Sequence, residues 1–183
     1  MRLKKLAGAL WCLMFVEFTS AGDNDLVLDY GQRALALARE PGLSELIGRT
    51  LNNLCIAFVV QKQLKLAREA VVKSQHIWRA LGNLPRLAEA HRYLANIHNV
   101  VGDYKQLLEE TARLIELGAS IGSRLDPMQG LIFSAIAYGR QGRFEKGQDC
   151  IERAGTLASA IGHLNEKHDH LWERIELYLS AGA

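Results

Sequence analysis

Apolar positions recur along the chain with helical spacing, and the turns between them follow a twenty-residue period. Half of the 16 glycines lie on stations twenty residues apart, and Lys62 occupies the one station that has no glycine. These glycines are Gly22, Gly42, Gly82, Gly102, Gly122, Gly142, Gly162 and Gly182. Because composition alone would rarely place them so, the pattern predicts a repeated unit with a turn every twenty residues.

Hydrophobic side chains repeat at forty-residue steps between these turns. Two registers lie seven residues apart and are mostly aromatic or leucine: Phe18, Phe58, His98, Tyr138 and Tyr178, and Trp11, Leu51, His91, Leu131 and Leu171. Residues seven apart share one helical face, so both registers belong to one packed stripe. About 15 helical residues make a rod of about 22 Å, which leaves a short turn. The unit is therefore predicted to be an antiparallel helix pair.

Local sequence signals agree with short turns between helices. Asp23 and Asp103 each follow a station glycine, which predicts a helix end and the N-cap of the next helix. Pro85 and Pro127 suit the first turn of a helix, with Asp126 predicted to cap the second of these helices. No segment shows the strict alternation of a strand bounded by turn residues.

Length and composition predict one domain over residues 1–183. The chain is 49% hydrophobic and 23% charged, and no linker or low-complexity tract interrupts it. A single helix pair cannot bury its own apolar face, so neighbouring pairs must stack. The predicted units are residues 4–42, 44–82, 84–122 and 127–162, followed by a terminal helix over residues 165–181.

The third unit carries a family pattern. Residues 87–98 provide large, leucine, small and aromatic positions, and Gly102-Asp103-Tyr104 follows as a turn. This segment resembles the tetratricopeptide repeat, which implies an all-α, right-handed superhelix of antiparallel helix pairs. Val27 and Leu107 depart from the small residue that the family has on its second helix. The long unit, with its Leu-Gly and Ile-Gly endings, resembles the arrays of bacterial signal-transduction regulators of the MalT type.

The resemblance implies binding rather than catalysis. Such arrays hold a peptide or a partner domain in a concave groove, so a non-enzymatic protein-interaction module is expected. The alternative is an effector-sensing or signal-transducing segment of a bacterial transcriptional regulator. Helical phase places seven polar residues on the groove face: Arg49, Asn52, Glu89, Arg92, Asn96, Asn99 and Arg140. Ile56, Ile132 and Ile136 share this face, and the mixed polarity suits a peptide or a partner helix.

Two of these residues resemble a carboxylate clamp. Arg92 and Asn96 lie four residues apart and would supply a cation and an amide donor for a C-terminal carboxylate. The next unit has Phe133 where a further asparagine would be expected, so the clamp is incomplete. A plain solvated helix face is the alternative interpretation of the same residues.

Candidate chemistry adds no catalytic, metal or cofactor site. His91 and His98 occupy packing registers, and His168 and His170 point to different faces of a helix, so neither pair chelates a metal. Cys12, Cys55 and Cys150 are far apart, which favours reduced thiols and a cytoplasmic location. The net charge of +2 balances 22 cations against 20 anions, so no nucleic-acid partner is expected.

The N-terminal residues allow two interpretations. A basic start before the apolar run from Leu6 to Phe18 is typical of a secretory signal, and the chain would then be secreted without residues 1–21. However, Trp11, Phe18 and Gly22 fall on the repeat grid, which favours a repeat helix. The run is too short to span a membrane. Because Leu10 near one end and Trp172 near the other are predicted to be exposed, either the terminal helices self-associate or the chain is a piece of a longer regulator.

Overall fold

The computed structural model describes residues 2–20, 22–38 and 42–161, and these form eight α-helices without a β-strand. The helices are α1 (Arg2–Thr19), α2 (Asn24–Leu37), α3 (Ser44–Val60), α4 (Leu64–Ala80), α5 (Leu84–Val101), α6 (Tyr104–Ser120), α7 (Leu125–Arg140) and α8 (Phe144–Ile161). The predicted all-α class is confirmed. None of the described helices combines the length and the apolar character needed to cross a membrane.

Helices that follow each other in the chain pack against each other. The chain divides within α5 into two compact units, residues 1–93 and 94–183. In the first unit α1 packs on α2 and α3, α2 packs on α3, and α3 packs on α4. In the second unit α6 packs on α7 and α7 packs on α8. This sequential packing of helix pairs is that of an α-solenoid.

The turns follow the period predicted from the glycines. Gly82, Gly102, Gly122 and Gly142 have φ between 63° and 75°, and Lys62 adopts the same left-handed conformation with φ of 59°. After each of these five residues, the next backbone N–H donates to the carbonyl five residues earlier, over 2.8–3.0 Å. This is the Schellman motif, which satisfies the last carbonyls of a helix. A lysine therefore closes the α3–α4 turn in a conformation that favours glycine.

The first turn departs from the grid by one residue. The Gly22 N–H donates to the Glu17 carbonyl at 2.9 Å. In the five turns above, the equivalent hydrogen bond comes from the residue that follows the station. Helix α2 then begins with Asp23 as its N-cap, and the carboxylate accepts from the Asp25 N–H at 2.8 Å. Asp103 caps α6 in the same way, through the Gln106 N–H at 3.2 Å. Both predicted caps are confirmed.

The predicted cap at Asp126 is wrong. Helix α7 begins at Leu125, so Asp126 lies within its first turn. The Asp126 N–H instead donates to the Ser123 hydroxyl at 3.2 Å. Serine provides the side-chain oxygen here because the helix starts two residues earlier than the proline suggests. Pro127 still lies in the first turn, where a missing N–H costs nothing.

Buried residues come from the predicted stripe. His91 and His98 are 3% and 4% exposed, as their packing registers predict. Leu10 is also buried, so its predicted exposure is wrong, whereas Leu6 and Leu13 on the same helix are exposed. One hydrophobic cluster of the second unit contains these buried residues: Met128, Leu131, Ala135, Cys150, Ile151, Ala154 and Ala158.

Glycines outside the grid make close helix contacts. A Cβ on Gly48 would lie 2.5 Å from the ring of Trp78, which is fully buried. A Cβ on Gly31 would lie 2.5 Å from a Leu54 methyl group. These two glycines therefore permit α3 to approach α4 and α2 to approach α3.

Some predictions fall on residues outside the described part of the chain. They concern the terminal helix over residues 165–181, the stations Gly162 and Gly182, and the exposure of Trp172. The register positions Leu171 and Tyr178 and the faces of His168 and His170 also lie outside the described residues. The assignment of residues 1–183 to a single repeat domain stays a prediction.

Candidate binding site

The carboxylate of Glu89 on α5 is the centre of a polar cluster in the first unit. It accepts from the Arg86 guanidinium at 2.8 Å, from the Tyr93 hydroxyl at 3.0 Å and from the Asn52 side-chain amide at 3.1 Å. Asn52 lies on α3 and the other three residues lie on α5. We call these four residues and Arg92 the Glu89 cluster.

Helical spacing explains part of this cluster. Arg86, Glu89 and Tyr93 are three and four residues apart, so their side chains meet on one face of α5. Arg86 and Tyr93 were not among the groove residues expected from the sequence. Arg86 lies three residues before Glu89, and this spacing in the sequence could have indicated their ion pair. Asn52 is different, because only packing of α3 and α5 within the unit brings it to a residue 37 positions away.

Asn52 was expected on an open groove face, yet it is buried with 2% exposed. Its amide nitrogen donates to Glu89, while its carbonyl oxygen has no hydrogen-bond partner among the described residues. A buried acceptor without a partner is costly, on the order of 1–3 kcal/mol. Asn52 therefore holds the Glu89 carboxylate from the buried side of the cluster, and it offers no exposed surface to a partner.

Arg92 is the cation of the cluster with unused donors. One terminal nitrogen lies 3.8 Å from a Glu89 oxygen, which is an ion-pair distance but too long for a hydrogen bond. The guanidinium lies 5.3 Å from the centre of the Tyr93 ring, and its side chain is 30% exposed. Its Nε has no hydrogen-bond partner in the described part of the chain. The charge is thus held in place without being fully hydrogen-bonded.

The charges of the Glu89 cluster do not cancel. Two arginines meet one carboxylate, so one positive charge remains. Burial, and after it the neighbouring Glu89 carboxylate, raises the pKa of Tyr93. The phenol therefore keeps its proton and acts as a donor to Glu89. Such a surface suits an anionic group that approaches the partly exposed Arg92 side chain.

Arg49 belongs to a second feature of the same unit. It pairs with Glu45 on α3 at 2.6 Å and lies 5.7 Å from the centre of the Trp11 ring on α1. These three residues help to line an open pocket of about 300 Å³, together with Lys4, Gly42, Leu43 and Leu46. Arg49 thus contacts Glu45 and Trp11, and the described contacts of Glu89 are with Asn52, Arg86, Arg92 and Tyr93 instead.

The other expected groove residues lie in the second unit. Asn96 and Asn99 on α5 are partly buried, and Arg140 at the end of α7 is exposed.

Burial raises the pKa of the Cys150 thiol in the second unit, and raises that of Cys55 in the first unit to about 12. Both thiols are therefore protonated and unreactive near neutral pH. Within the described residues, no three His, Cys, Asp or Glu side chains are placed to share a metal ion.

A comparison with solved structures supports the fold. The chain is similar to BtubC (BKLC) from P. vanneervenii, with a TM-score of 0.79 and 20% sequence identity. The match covers 86% of this chain, which spans only 65% of the BtubC chain. No family model matches the chain, and no curated protein matches it significantly. At this identity the likeness concerns the fold alone, and it agrees with a helical repeat protein.

Proposed function

We propose that this chain is a non-enzymatic protein-interaction module of the tetratricopeptide type, which binds a peptide or a partner domain. The observation that carries the proposal is the state of Arg92. Its side chain is partly exposed, and its terminal nitrogen lies 3.8 Å from a Glu89 oxygen, beyond hydrogen-bond distance, beside a carboxylate already held by other donors. An anionic side chain or a chain terminus of a partner would supply the missing acceptor.

Within this proposal each member of the Glu89 cluster has a role. Arg92 contacts the partner's carboxylate, and Glu89 keeps the guanidinium in position by its charge. Arg86, Tyr93 and Asn52 fix Glu89, so the carboxylate cannot turn to form a full ion pair with Arg92. The remaining positive charge also favours an acidic partner over a basic one.

The test begins with a library of short peptides that end in either a free carboxylate or an amide. We expect the chain to select acidic peptides or free carboxylates. Arg92→Ala should then weaken binding of a selected peptide by about 1.5–3 kcal/mol, because a charge-assisted hydrogen bond is lost. Isothermal titration calorimetry measures the affinity, and urea denaturation should show that Arg92→Ala changes folding little, since the side chain is partly exposed.

Arg33→Ala is the matched control. Arg33 on α2 also pairs with a carboxylate, Asp29 at 2.8 Å, and lies 5.9 Å from the centre of the Tyr30 ring. It therefore loses the same kinds of contact outside the Glu89 cluster. Equal affinities of the Arg92→Ala and Arg33→Ala variants would contradict the assignment of Arg92 to the site.

A second candidate function is the sensing of a small effector, as in regulators of the MalT type. The open pocket beside Arg49 favours it, because the Arg49–Glu45 ion pair, an indole and leucine side chains line a volume suited to a small polar molecule. A small effector would raise the melting temperature of the chain without any peptide, and Arg49→Ala would abolish this shift. A peptide module would show no such shift, and its binding would depend on Arg92 instead.

The proposal includes a cytoplasmic location, which buried thiols without disulfides favour. The alternative of a secreted protein follows if residues 1–21 act as a signal. Cell fractionation with an antibody to the C-terminal unit distinguishes the two.

A further inference from the structure

The exposed side of α4 carries a row of basic side chains. Five residues follow one another along it at steps of three or four positions: Lys65, Arg68, Val72, His76 and Arg79. Residues at these steps share one face of a helix. Val72 is half-buried and the other four are exposed. We call these five residues the α4 stripe.

The charge of α4 differs from that of the other helices that come second in a predicted pair. Helix α4 has four lysines and arginines and one acidic residue, Glu69. In α2, α6 and α8 the acidic residues outnumber the lysines and arginines by one. Helix α4 alone therefore has more positive charge than the net +2 of the whole chain.

The two arginines of the stripe have no partner in the part of the chain that the structure describes. Neither Arg68 nor Arg79 makes a hydrogen bond, an ion pair or a ring contact there. Every other arginine whose side chain is described has a partner, such as Asp29 for Arg33 at 2.8 Å. On α4 no acidic residue lies three or four positions from either arginine, so both keep their donors for an external anion.

The spacing of the stripe is that of a surface for another helix. Arg68 and Arg79 are three helical turns apart, which is about 16 Å along the axis. A second helix repeats its side chains at the same steps of three and four residues, so its carboxylates can meet each basic position in turn. Each guanidinium can hold a carboxylate through two parallel N–H donors. Val72 lies between the arginines and offers an apolar contact.

The surroundings of the stripe favour a protein partner over a membrane or nucleic acid. A helix that binds a bilayer inserts its apolar face, but that face of α4 is buried in the protein through Val71 and Trp78. Single-stranded nucleic acid stacks its bases on aromatic side chains, and this burial removes the tryptophan. Glu69 lies beside the stripe and repels phosphate groups, whereas a protein can place a cation opposite it.

We propose that the α4 stripe binds an acidic helix of a partner protein. Carboxylates of that helix bind Arg68 and Arg79, an apolar side chain packs on Val72, and Lys65 adds attraction at the start of the stripe. No residue of the stripe belongs to the Glu89 cluster, so this binding does not require Arg92. Because its charges are exposed to solvent, the complex weakens as salt is added.

Fluorescence anisotropy at low salt tests the proposal with a synthetic peptide. The peptide is alanine-based and about 15 residues long, and its glutamates lie on one helical face at steps of three and four residues. Its ends are acetylated and amidated, so it offers no terminal carboxylate to Arg92. The control peptide has the same composition, but its glutamates are distributed around the helix. We expect the control peptide to bind several-fold more weakly.

Charge reversal of the two arginines is the matching test on the protein. Arg68→Glu with Arg79→Glu should weaken peptide binding by about tenfold or more, because two charge-assisted hydrogen bonds are lost. Lys105→Glu with Lys146→Glu is the control, since it changes the net charge equally at exposed lysines of α6 and α8. Circular dichroism checks the helical content of each variant. Arg68→Gln with Arg79→Gln removes the donors without adding negative charge, and it should still weaken binding several-fold if the reversed variant does not fold.

The result can be separated from the test of the Glu89 cluster. Arg92→Ala should leave the affinity for the amidated peptide unchanged. If Arg92→Ala weakens binding of this peptide and the variants of Arg68 and Arg79 do not, the peptide binds at the Glu89 cluster. That outcome would overturn the proposal for α4 while it supports the proposed function.

Three further results would overturn the proposal. One is equal affinity for the two peptides, and another is an equal loss of affinity in the α4 variants and in the lysine control. The third is tighter binding of duplex DNA or of phosphatidylglycerol vesicles than of the peptide, abolished by Arg68→Glu with Arg79→Glu. That last result would assign the stripe to phosphate groups of a nucleic acid or of a membrane.

Discussion

At the scale of single residues, conformation and hydrogen bonding decide what each position contributes. Lys62 has a φ of 59° and donates its N–H to the Val59 carbonyl at 2.9 Å. A side chain at this conformation crowds the backbone, and glycine avoids that cost. The Schellman motif around Lys62 is complete in its hydrogen bonds. Only the residue type departs from the other four turns that have the same motif.

Lys62→Gly should therefore stabilise the protein by roughly 0.5–1 kcal/mol, even though glycine gives the unfolded chain more freedom. Urea denaturation under matched conditions measures the change. Lys73→Gly is the control, because Lys73 is exposed in the middle of α4 and the same substitution there should destabilise by about 1 kcal/mol. A lower urea midpoint for Lys62→Gly than for the wild type would contradict this account of the turn.

At the scale of helices, small residues set how closely neighbours pack. Gly48 on α3 lies against Trp78 on α4, whose side chain is fully buried. The Trp78 ring nitrogen has no hydrogen-bond partner among the described residues, so hydrophobic packing fixes its position. A buried tryptophan fills a large volume, and its ring moves only if the helices separate. The α3–α4 contact thus depends on the absence of a side chain at Gly48.

Gly48→Ala should destabilise the protein by about 1–3 kcal/mol, because the added Cβ would lie 2.5 Å from the Trp78 ring. Gly8→Ala on α1 is the matched control. An added Cβ there has no neighbour within 4 Å, so the higher helix propensity of alanine should stabilise by up to about 1 kcal/mol. Thermal denaturation distinguishes the two substitutions by sign. A stabilising effect of both would mean that the α3–α4 contact adapts freely.

At the scale of the whole molecule, buried ionisable groups make stability depend on pH. Burial raises the pKa of Cys55 from its usual value of 9.0 to about 12, and raises the pKa of Tyr93 and of Cys150 as well. Each of these groups is neutral when protonated, so the folded chain holds the proton more tightly than the unfolded chain. The stability that these protonated groups contribute is complete below pH 9. It is lost as the pH rises above 9, because the unfolded chain then releases protons that the folded chain still holds.

We expect the urea midpoint to fall as the pH rises from neutral to above 10. Cys55→Ala should reduce the slope of that fall, whatever it does to stability at neutral pH, because the unfolded chain then has one proton fewer to release. Cys12→Ala is the control, since Cys12 is exposed. Identical slopes in the wild type and Cys55→Ala would show that the Cys55 thiol does not contribute to the alkaline loss of stability.

The sequence by itself determined the helices and most of the turns. Turn signals are local: a left-handed residue and an N-cap lie within a few positions of the helix ends that they define. The registers of His91 and His98 likewise predicted burial, because helical phase follows from spacing alone. The error at Asp126 has the same local origin, since Pro127 suggested a later start, whereas α7 begins at Leu125 with Arg124 as its N-cap.

Tertiary structure alone decided which distant side chains meet. The sequence placed Asn52, Glu89 and Arg92 on one face, but it did not predict the hydrogen bond from Asn52 to Glu89 or the contact of Arg49 with the Trp11 ring on α1. Helical periodicity fixes a side chain's direction around its own axis. Contacts between helices depend also on their axial offset and on rotamers, which close contacts such as that of Gly48 with Trp78 determine.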